Sequence, residues 1–339
     1  MSTVLVLRWS SAGDIVLTAP ALEALSQAWP EARIVFVTKP QFVDLVRAHP
    51  CVHEVETLRP GEGTLALSRR LAARAPDAVL DLHGKARGFF LRRLAPRRVV
   101  WTKRGTLQGL RVRLGLAPYR AEKLIARRYH DAVEKLVGRA LPPGRLRYYV
   151  HPDDAARARE RLVAAGVDLG RPLCGMSPGA LWETKRWPAE RFGELAARLV
   201  TAGVQVVQSG SKAEAAFTAA VRARAPGAVD LAGQLTLGEL GGLIDACTAF
   251  VANDSGPMHM ARGLGVPTLA FFGSTDPRQF DFSGHAVLFA ELPCAPCSLY
   301  GKRRCPEGHF RCMLDLDVER ALRAVLELSR GGRRAAVVG

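Results

Sequence analysis

The stretch from Phe250 to Gly273 limits the possible folds more than any other part of this sequence. It predicts a buried strand from Ala249 to Ala252, a polar turn, a short helix, and a second strand from Thr268 to Phe272. Pro257 suits the first position of the helix, because no backbone N–H donor is needed there. A strand–helix–strand unit of this kind is typical of a parallel sheet with helical crossovers.

The turn within this stretch is also a candidate anion site. Ser255 or Asp254 can cap the helix, and Gly256 lets a ligand approach the backbone closely. Free N–H groups at a helix N-terminus, beyond the carboxyl end of a parallel strand, favour phosphate. His259 lies about one turn into the helix, with its side chain directed back toward the turn. The alternative is an ordinary capped turn with a packed histidine, and the turn alone does not decide between them.

Strands alternate with helices along the rest of the chain, which predicts an α/β protein with two Rossmann-like domains. The predicted strands of the first series are Thr3–Arg8, Arg33–Thr38, Val52–Val55 and Asp77–Leu82, and a second series restarts at Leu173. One helix is expected from Ile15 to about Trp29. The expected divisions are a domain over 1–155, a linker region over 156–171, a second domain over 172–314, and a helix and tail over 315–339.

The turn after the first strand carries a single acidic residue, Asp14, at the first turn of the following helix. It contains one glycine, Gly13, where a dinucleotide fingerprint needs three, so a nicotinamide cofactor is not expected here. A carboxylate at the crevice of an α/β sheet can act as a general base. An acidic residue at this position can also simply complement the helix dipole.

The chain is strongly basic, with 48 Lys and Arg against 32 Asp and Glu and a pI of about 10.2. This balance favours polyanionic partners, although such charges also solvate an exposed face. Between Leu82 and Ala121 there is no acidic residue. The basic residues there are Lys85, Arg87, Arg92, Arg93, Arg97, Arg98, Lys103, Arg104, Arg111, Arg113 and Arg120. Aromatic residues such as Phe89, Phe90 and Trp101 are sparse in this basic segment, so base stacking on nucleic acid is less supported.

No apolar run approaches the ~18–20 residues of a membrane span, and the first residues lead directly into a strand without a signal-peptide pattern. The sequence therefore predicts a soluble protein made in the cytoplasm.

Three segments together resemble the family 9 glycosyltransferases, the ADP-heptose:lipopolysaccharide heptosyltransferases, and among these the second heptosyltransferase more than the first. The segments are Ser10-Ser11-Ala12-Gly13-Asp14, then Ser177-Pro178-Gly179-Ala180 leading to Lys185-Arg186-Trp187-Pro188, and finally Asn253-Asp254-Ser255-Gly256-Pro257-Met258-His259. The resemblance covers almost the whole chain in the right order. It implies the GT-B architecture, with two Rossmann-like domains facing each other across a cleft. The Trp182-Glu183-Thr184 loop departs from the best-known members.

The resemblance implies an acceptor site in the first domain, a nucleotide-sugar site in the second, and transfer with inversion in a single displacement. Asp14 is then the base, and Lys185 stabilises the departing ADP. The implied donor contacts are Ser177, Gly179, Arg186, Glu214, Asp254, Ser255, Gly256 and His259, and the implied acceptor contacts are Ser11, Gly13, Lys85 and Arg87. Glu214 has the alternative of a solvent-facing helix residue. No Asp-x-Asp motif stands in a suitable place, so transfer without a metal or other cofactor is expected.

The implied partners are ADP-heptose and the inner core of lipopolysaccharide on lipid A, with peripheral contact at the cytoplasmic face of the inner membrane and no nucleic acid. Two other interpretations stay open at this point. One is another GT-B transferase or epimerase that uses a different nucleotide sugar. The other is a basic nucleic-acid-binding protein, which would bind RNA or DNA tightly and in a salt-sensitive manner.

Four cysteines lie within nineteen residues near the end of the second domain: Cys294, Cys297, Cys305 and Cys312. Four thiols at this spacing could hold a structural zinc ion, although the second pair is not a Cys-x-x-Cys knuckle. Packed free thiols and disulfide or redox chemistry are the alternatives. Cys51, Cys174 and Cys247 stand singly in apolar surroundings and are expected to be reduced core residues.

Overall fold

The computed structural model describes residues 2–101 and 123–331. They form two compact units, one made of 2–101 with 123–151 and the other of 152–331. Five of the basic residues singled out above lie outside the described residues, as does the predicted tail over 332–339. These are Lys103, Arg104, Arg111, Arg113 and Arg120.

The first unit is built on a five-stranded parallel sheet with the order β3-β2-β1-β4-β5. The strands are β1 (Thr3–Leu7), β2 (Arg33–Thr38), β3 (Glu54–Thr57), β4 (Ala78–Asp81) and β5 (Arg97–Val100). The helices are α1 (Ala12–Val16), α2 (Ala19–Ala28), α3 (Thr64–Ala72) and α4 (Ile125–Val137), with 3-10 turns at Pro40–Leu45, Ala86–Gly88 and Leu91–Leu94. The central strands are mainly apolar, and apart from Thr3 and Arg33 at their first positions their residues are buried, as expected for a sheet covered on both faces.

The single helix predicted from Ile15 to Trp29 is wrong, because two helices, α1 and α2, occupy that range. The break falls at Thr18, whose hydroxyl donates to the Ile15 carbonyl at 2.7 Å. Pro20 then stands in the first turn of α2, where its missing N–H costs nothing. Strand β5 was not predicted, because its arginines obscure the apolar pattern of an edge strand.

The second unit contains a six-stranded parallel sheet with the order β11-β10-β9-β6-β7-β8. Its strands are β6 (Leu173–Ser177), β7 (Gln205–Gln208), β8 (Val229–Asp230), β9 (Ala249–Asn253), β10 (Thr268–Phe272) and β11 (Ala286–Phe289). Its helices are α5 (Pro152–Ala164), α6 (Ala189–Thr201), α7 (Ala215–Arg224), α8 (Leu237–Ala246), α9 (Gly256–Gly263), α10 (Arg311–Leu314) and α11 (Val318–Gly331). Counted within the unit, this is the 3-2-1-4-5-6 order of a Rossmann fold.

Helix α5 belongs to the second unit, although the sequence analysis assigned residues 156–171 to a linker. Its residue Arg161 donates to Glu239 of α8 at 3.0 Å. The two helices approach so closely that a Cβ added at Gly242 would lie 2.7 Å from the Ala158 side chain. Residues 156–164 are therefore packed helix.

Helix α11 is also part of the second unit's core. Val325 is fully buried and belongs to the same apolar cluster as Trp187 and Phe271. The Trp187 and Phe271 rings stack at 4.1 Å between centroids. Of the helices in the described part of the chain, none is long and apolar enough to span a membrane.

Candidate active site

In each sheet the strand order reverses at one point, and this point fixes where a ligand can bind. The reversal lies between β1 and β4 in the first unit and between β6 and β9 in the second. In open α/β sheets ligands bind at the carboxyl ends of the strands that flank such a point. The turns there are 8–14 and 82–88 in the first unit, and 178–187 and 254–259 in the second.

Asp14 is held by three side chains at the carboxyl end of β1. The Arg8 Nη2 atom lies 2.8 Å from Asp14 Oδ2, and the Ser11 hydroxyl donates to the same oxygen at 2.8 Å. The Tyr129 hydroxyl donates to Oδ1 at 3.2 Å. Burial and the nearby carboxylate raise the pKa of Tyr129 well above its usual value, so the phenol remains a donor. Asp14 keeps 29% of its side chain exposed and is therefore both oriented and reachable.

Arg8 was missed as a site residue by the sequence analysis, which treated it as the last residue of a strand. Its side chain is buried and also donates to the Leu82 carbonyl at the end of β4. The guanidinium carbon lies 5.2 Å from the Tyr129 ring centroid and 5.8 Å from that of Trp101. A charged residue ending an otherwise apolar strand was the available signal.

The predicted acceptor residues lie at the same edge of the first sheet. Ser11 and Gly13 form the turn that carries Asp14, and Gly13 is buried. Lys85 and Arg87 are exposed beyond β4, and the Arg87 guanidinium lies 5.7 Å from the Trp9 ring centroid. These side chains thus flank the strand-order reversal of the first unit.

The turn after β4 is shaped by Asp81, which is fully buried and accepts the N–H groups of His83 and Gly84 at 2.9 Å each. Burial, followed by the Arg8 and Lys85 charges, lowers the pKa of His83 to about 4. His83 is therefore neutral near pH 7, and the cations of this crevice are its Arg and Lys side chains.

In the second unit, Lys185 and Asp254 form a buried ion pair beside helix α9. Lys185 Nζ lies 2.6 Å from Asp254 Oδ2, and the Thr275 hydroxyl donates to that oxygen at 2.6 Å. Burial alone would raise the pKa of Asp254, but the Lys185 ammonium, the electrostatic interaction with His259 and the hydrogen bond from Thr275 hold it below its ordinary value. Asp254 is thus anionic and does not cap the helix.

Ser255 occupies the N-cap position of α9, yet its hydroxyl does not cap the helix. The Oγ atom is buried and has no hydrogen-bond partner within the described residues. The first-turn N–H groups of a helix have no acceptor inside that helix. A buried orphan hydroxyl beside such groups and beside Lys185 fits an anion-binding turn better than an ordinary cap.

Asn253 joins this turn to the loop that carries Lys185. Its Oδ1 accepts the N–H of Trp187 at 3.0 Å, and its Nδ2 donates to the Pro178 carbonyl at 2.7 Å. In the same loop Arg186 Nε donates to the Ala180 carbonyl at 2.7 Å, so part of its donor capacity is used within the loop. Asn253 lies in a predicted motif, but the sequence alone does not predict that its side chain holds the two segments together.

Glu214 is half-buried and lies against the first loop of the second unit. A Cβ added at Gly179 would lie 1.8 Å from Glu214 Oε1. The other carboxylate oxygen accepts the Ser211 N–H at 2.7 Å and its hydroxyl at 2.8 Å. Ser177, at the end of β6, is buried. The predicted donor residues therefore converge at the carboxyl edge of this sheet.

His259 is buried in α9, and its Nδ1 atom lies 3.2 Å from Arg262 Nη1. Its ring meets Phe280 edge-on at 4.6 Å between centroids. Arg262 and Thr275 were not predicted as site residues, because their contacts with His259 and Asp254 depend on how α9 and the loop after β10 pack.

The zinc interpretation of the clustered cysteines finds no support in the structure. All seven cysteines lie within the described residues and are free thiols. Burial, with the neighbouring Cys297, Cys305 and Cys294 thiols, raises the pKa of Cys312 to about 12. The thiols stand near one another, but residues 2–101 and 123–331 hold no group of three or more His, Cys, Asp or Glu that could bind a metal ion.

Comparison with known proteins connects these two crevices to one family. The model of glycosyltransferase family 9 (heptosyltransferase) matches residues 64–308. Lipopolysaccharide heptosyltransferase 1 of Pseudomonas aeruginosa is 31% identical over 94% of this chain and 92% of its own length.

Two solved structures show the same fold. Escherichia coli ADP-heptose lps heptosyltransferase II superposes with a TM-score of 0.77 at 23% identity, covering 98% of this chain and 99% of the other. E. coli heptosyltransferase WaaC with ADP-2-deoxy-2-fluoro heptose gives 0.68 at 20% identity, covering 96% and 99%. The predicted α/β fold of the GT-B type, with two Rossmann-like units, is confirmed.

The relative quoted above is a first heptosyltransferase and the better-fitting structure is a second, so these matches do not choose between the two. They agree on the family. With its model matching 64–308 and a full-length relative at 31% identity, this chain belongs to glycosyltransferase family 9 (heptosyltransferase).

Proposed function

We propose that this glycosyltransferase moves heptose from ADP-heptose to the inner core of lipopolysaccharide, with inversion at the anomeric carbon. The proposal is supported by full-length similarity to a lipopolysaccharide heptosyltransferase and by the likeness to a structure described with an ADP-heptose analogue. The observation that carries it is the turn at the start of α9, where a buried unpaired Ser255 hydroxyl lies beside the Lys185–Asp254 pair.

Asp14 acts as the general base in this proposal. An acceptor hydroxyl attacks the anomeric carbon as its proton passes to the Asp14 carboxylate, and the bond from that carbon to the diphosphate oxygen breaks. Arg8, Ser11 and Tyr129 orient the carboxylate through the contacts described above. ADP leaves as an anion, so this step requires no proton for the leaving group.

The departing diphosphate charge is met by Lys185, by the Ser255 hydroxyl and by the backbone N–H groups at the start of α9. An ammonium has three N–H donors, so Lys185 can keep its bond to Asp254 and still donate to phosphate. Donors fixed in place before the reaction stabilise developing charge more effectively than water does. In this scheme the chain's own residues supply the charge stabilisation, and no metal is assigned a step.

Glu214 is proposed to contact the donor ribose. Its carboxylate is anchored by Ser211 and pressed against the backbone at Gly179, which holds it at the end of β6. A carboxylate fixed at this edge of a Rossmann-like sheet can accept hydrogen bonds from ribose hydroxyls.

The acceptor is proposed to bind the first unit through Lys85 and Arg87, which suit acidic core sugars. A peripheral contact with the cytoplasmic face of the inner membrane is proposed for the neighbouring surface. Phe89 and Phe90 are exposed there, and the Arg93 guanidinium lies 3.8 Å from the Phe89 ring centroid. Exposed aromatic rings among basic side chains fit an anionic lipid surface. Nucleic acid is not a proposed partner.

The test is a transfer assay with ADP-heptose and a heptose-free inner-core acceptor, run on the parent and on Asp14→Ala. We expect the variant to lose about 10³-fold or more in turnover, which lies within the range of a lost general base. ADP affinity, measured by calorimetry, should change less than twofold. Near parental turnover by Asp14→Ala would show that the proposed base is wrong.

The donor is tested separately by comparing ADP, UDP and GDP as thermal stabilisers of the parent. ADP should raise the melting temperature most, because binding to the native state stabilises it in proportion to affinity. Product analysis completes the test, since an epimerase would consume no acceptor.

A further inference from the structure

Arg262 is a buried cation on α9, one turn after His259. Its side chain is enclosed by four groups. Nη1 lies 3.2 Å from His259 Nδ1, and Nη2 donates to the Asp281 carbonyl. The guanidinium carbon lies 4.4 Å from the Phe282 ring centroid and 5.8 Å from that of Phe280. Such a group is fixed in both position and orientation.

The contact between Arg262 and His259 can run in one direction only. A guanidinium carries five N–H donors and no acceptor, so His259 Nδ1 must accept the hydrogen bond. The proton of a neutral imidazole then sits on Nε2. A second proton would have to be placed on Nδ1, where it would meet the N–H groups of a permanent cation. The Arg262 contact therefore opposes formation of the imidazolium.

The other charges around the pair leave this argument intact. Asp254 interacts electrostatically with His259 and so favours the imidazolium, but this carboxylate is already bound by Lys185 and Thr275, which offset its charge. Asp281 and His285 face Arg262. Burial, followed by the Arg262 charge, lowers the pKa of His285 to about 4, so it adds no charge near neutrality. Burial lowers the pKa of Arg262 itself to about 10, which still leaves it charged at pH 7.

We propose that Arg262 is a positioning residue of the donor site: it keeps His259 neutral with its proton on Nε2, so that the imidazole offers the donor diphosphate one N–H of constant character. The ligand part of this proposal rests on the proposed function. The tautomer part rests on the contact between the two side chains. It predicts that nucleotide-sugar affinity does not follow the ordinary titration of histidine.

The direct test observes His259 in the parent protein by two-dimensional NMR of ¹⁵N-histidine, with the signal identified by its loss in His259→Phe. We expect an unprotonated Nδ1, a protonated Nε2, and no titration between pH 5.5 and 8.0. An Nδ1–H tautomer, or a titration midpoint near the ordinary pKa of about 6.5, would overturn the proposal. This measurement needs no ligand and no variant of Arg262.

The second test measures binding of ADP-heptose without acceptor, because its diphosphate has no group that titrates between pH 5.5 and 8.0. The parent affinity should stay within twofold across this range. In Arg262→Met the cation beside Nδ1 is gone, which makes a second proton on His259 more favourable, so affinity should rise about fivefold toward pH 5.5, as expected when a neutral donor becomes a charged one. Arg262→Lys, which keeps a cationic donor, should return the profile to that of the parent.

The double variant His259→Phe/Arg262→Met is the control, and its affinity should not depend on pH. A flat profile in Arg262→Met itself would contradict the proposal, since a merely structural arginine would shift affinity equally at every pH. If the parent does not bind ADP-heptose at all, the proposed function fails, and the NMR result alone decides whether Arg262 fixes the tautomer.

Discussion

The Lys185–Asp254 pair contributes both to the stability of the second unit and to its proposed donor site. The pair is buried, with 14% and 6% of the side chains exposed. In Lys185→Ala the Asp254 carboxylate loses its cation, so the folding free energy should fall by about 3 kcal/mol, as for other broken buried pairs. ADP affinity should fall roughly tenfold with the lost charge-assisted hydrogen bond to phosphate. Urea unfolding and calorimetry measure the two effects.

The double variant Lys185→Ala/Asp254→Asn separates these effects, because the amide needs no cation. It should recover most of the stability without recovering ADP affinity.

The lowered pKa of Asp254 also makes the folding free energy of the second unit depend on pH. The stabilising contribution of the Asp254 carboxylate is complete above its pKa in the unfolded chain. It is lost as the pH falls through its lower pKa in the folded protein. Unchanged ADP binding in Lys185→Ala would remove this residue from the site.

Among single residues, the sequence predicted the site residues that lie in motifs. It missed the residues that contact them only after the chain has folded. Asp14, Lys185 and Glu214 each follow a predicted strand or open a helix, so their place at the sheet edge could be inferred. Tyr129 reaches Asp14 from 115 residues away, and Thr275 reaches Asp254 from 21 residues away. Such contacts depend on helix packing and loop paths that local patterns do not contain.

At the level of elements, the loop after β6 lies so close to Glu214 that it needs a glycine at position 179. Gly179→Ala would place a Cβ 1.8 Å from Glu214 Oε1, so the carboxylate must leave its position. The hydrogen bonds from Ser211 to this carboxylate would be lost with it, at about 1 kcal/mol. ADP affinity should fall in the same variant if Glu214 holds the ribose.

Gly63→Ala is the matched control for this change, because its added Cβ would meet nothing within 4 Å. Gly179→Ala/Glu214→Ala should relieve the steric conflict and leave ADP binding weak. Parental affinity in Gly179→Ala would mean that the position of Glu214 does not matter for nucleotide binding.

The edge of the first sheet offers a pH-dependent prediction. Hydrogen bonding from Arg74, opposed in part by burial, lowers the pKa of Glu54 to about 2. The contribution of this pair is therefore present above the unfolded pKa of about 4.3 and lost as the pH falls toward 2. Because both side chains remain partly exposed, at 29% and 28%, Arg74→Met should cost only about 0.5–1 kcal/mol at pH 7. Urea unfolding at pH 7 and pH 3 should show the difference shrinking.

Arg69→Met is the control for the edge of the sheet, since Arg69 is an exposed arginine of helix α3, which ends shortly before Arg74. An effect of Arg74→Met that is as large at pH 3 as at pH 7 would argue against the ion pair as its cause. The alternation of strands and helices in both units followed from patterns in the sequence, except for the edge strands β5 and β11. The break between α1 and α2 and the arginine-rich strand β5 did not, because a local proline and local charges outweigh the apolar period there.

For the whole molecule, the excess of 48 Lys and Arg over 32 Asp and Glu favours anionic surfaces over neutral ones. The protein should sediment with vesicles containing phosphatidylglycerol and not with vesicles of phosphatidylcholine alone. Raising the salt from 0.05 to 0.5 M should weaken the interaction, because the Debye length shortens from roughly 14 Å to roughly 4 Å.

The aromatic pair in the basic segment should determine how firmly the protein is held on such vesicles. Phe89 and Phe90 are 45% and 44% exposed, so burying them in the interface adds apolar area to the electrostatic attraction. Phe89→Ser/Phe90→Ser should reduce vesicle binding about tenfold, whereas Leu181→Ser, at an 81% exposed residue of the second unit, should not. Both variants should bind ADP like the parent.

Equal vesicle binding by the two variants would show that charge alone attracts the protein to the membrane. Tight, salt-sensitive binding of RNA in competition with the vesicles would favour a nucleic-acid partner instead.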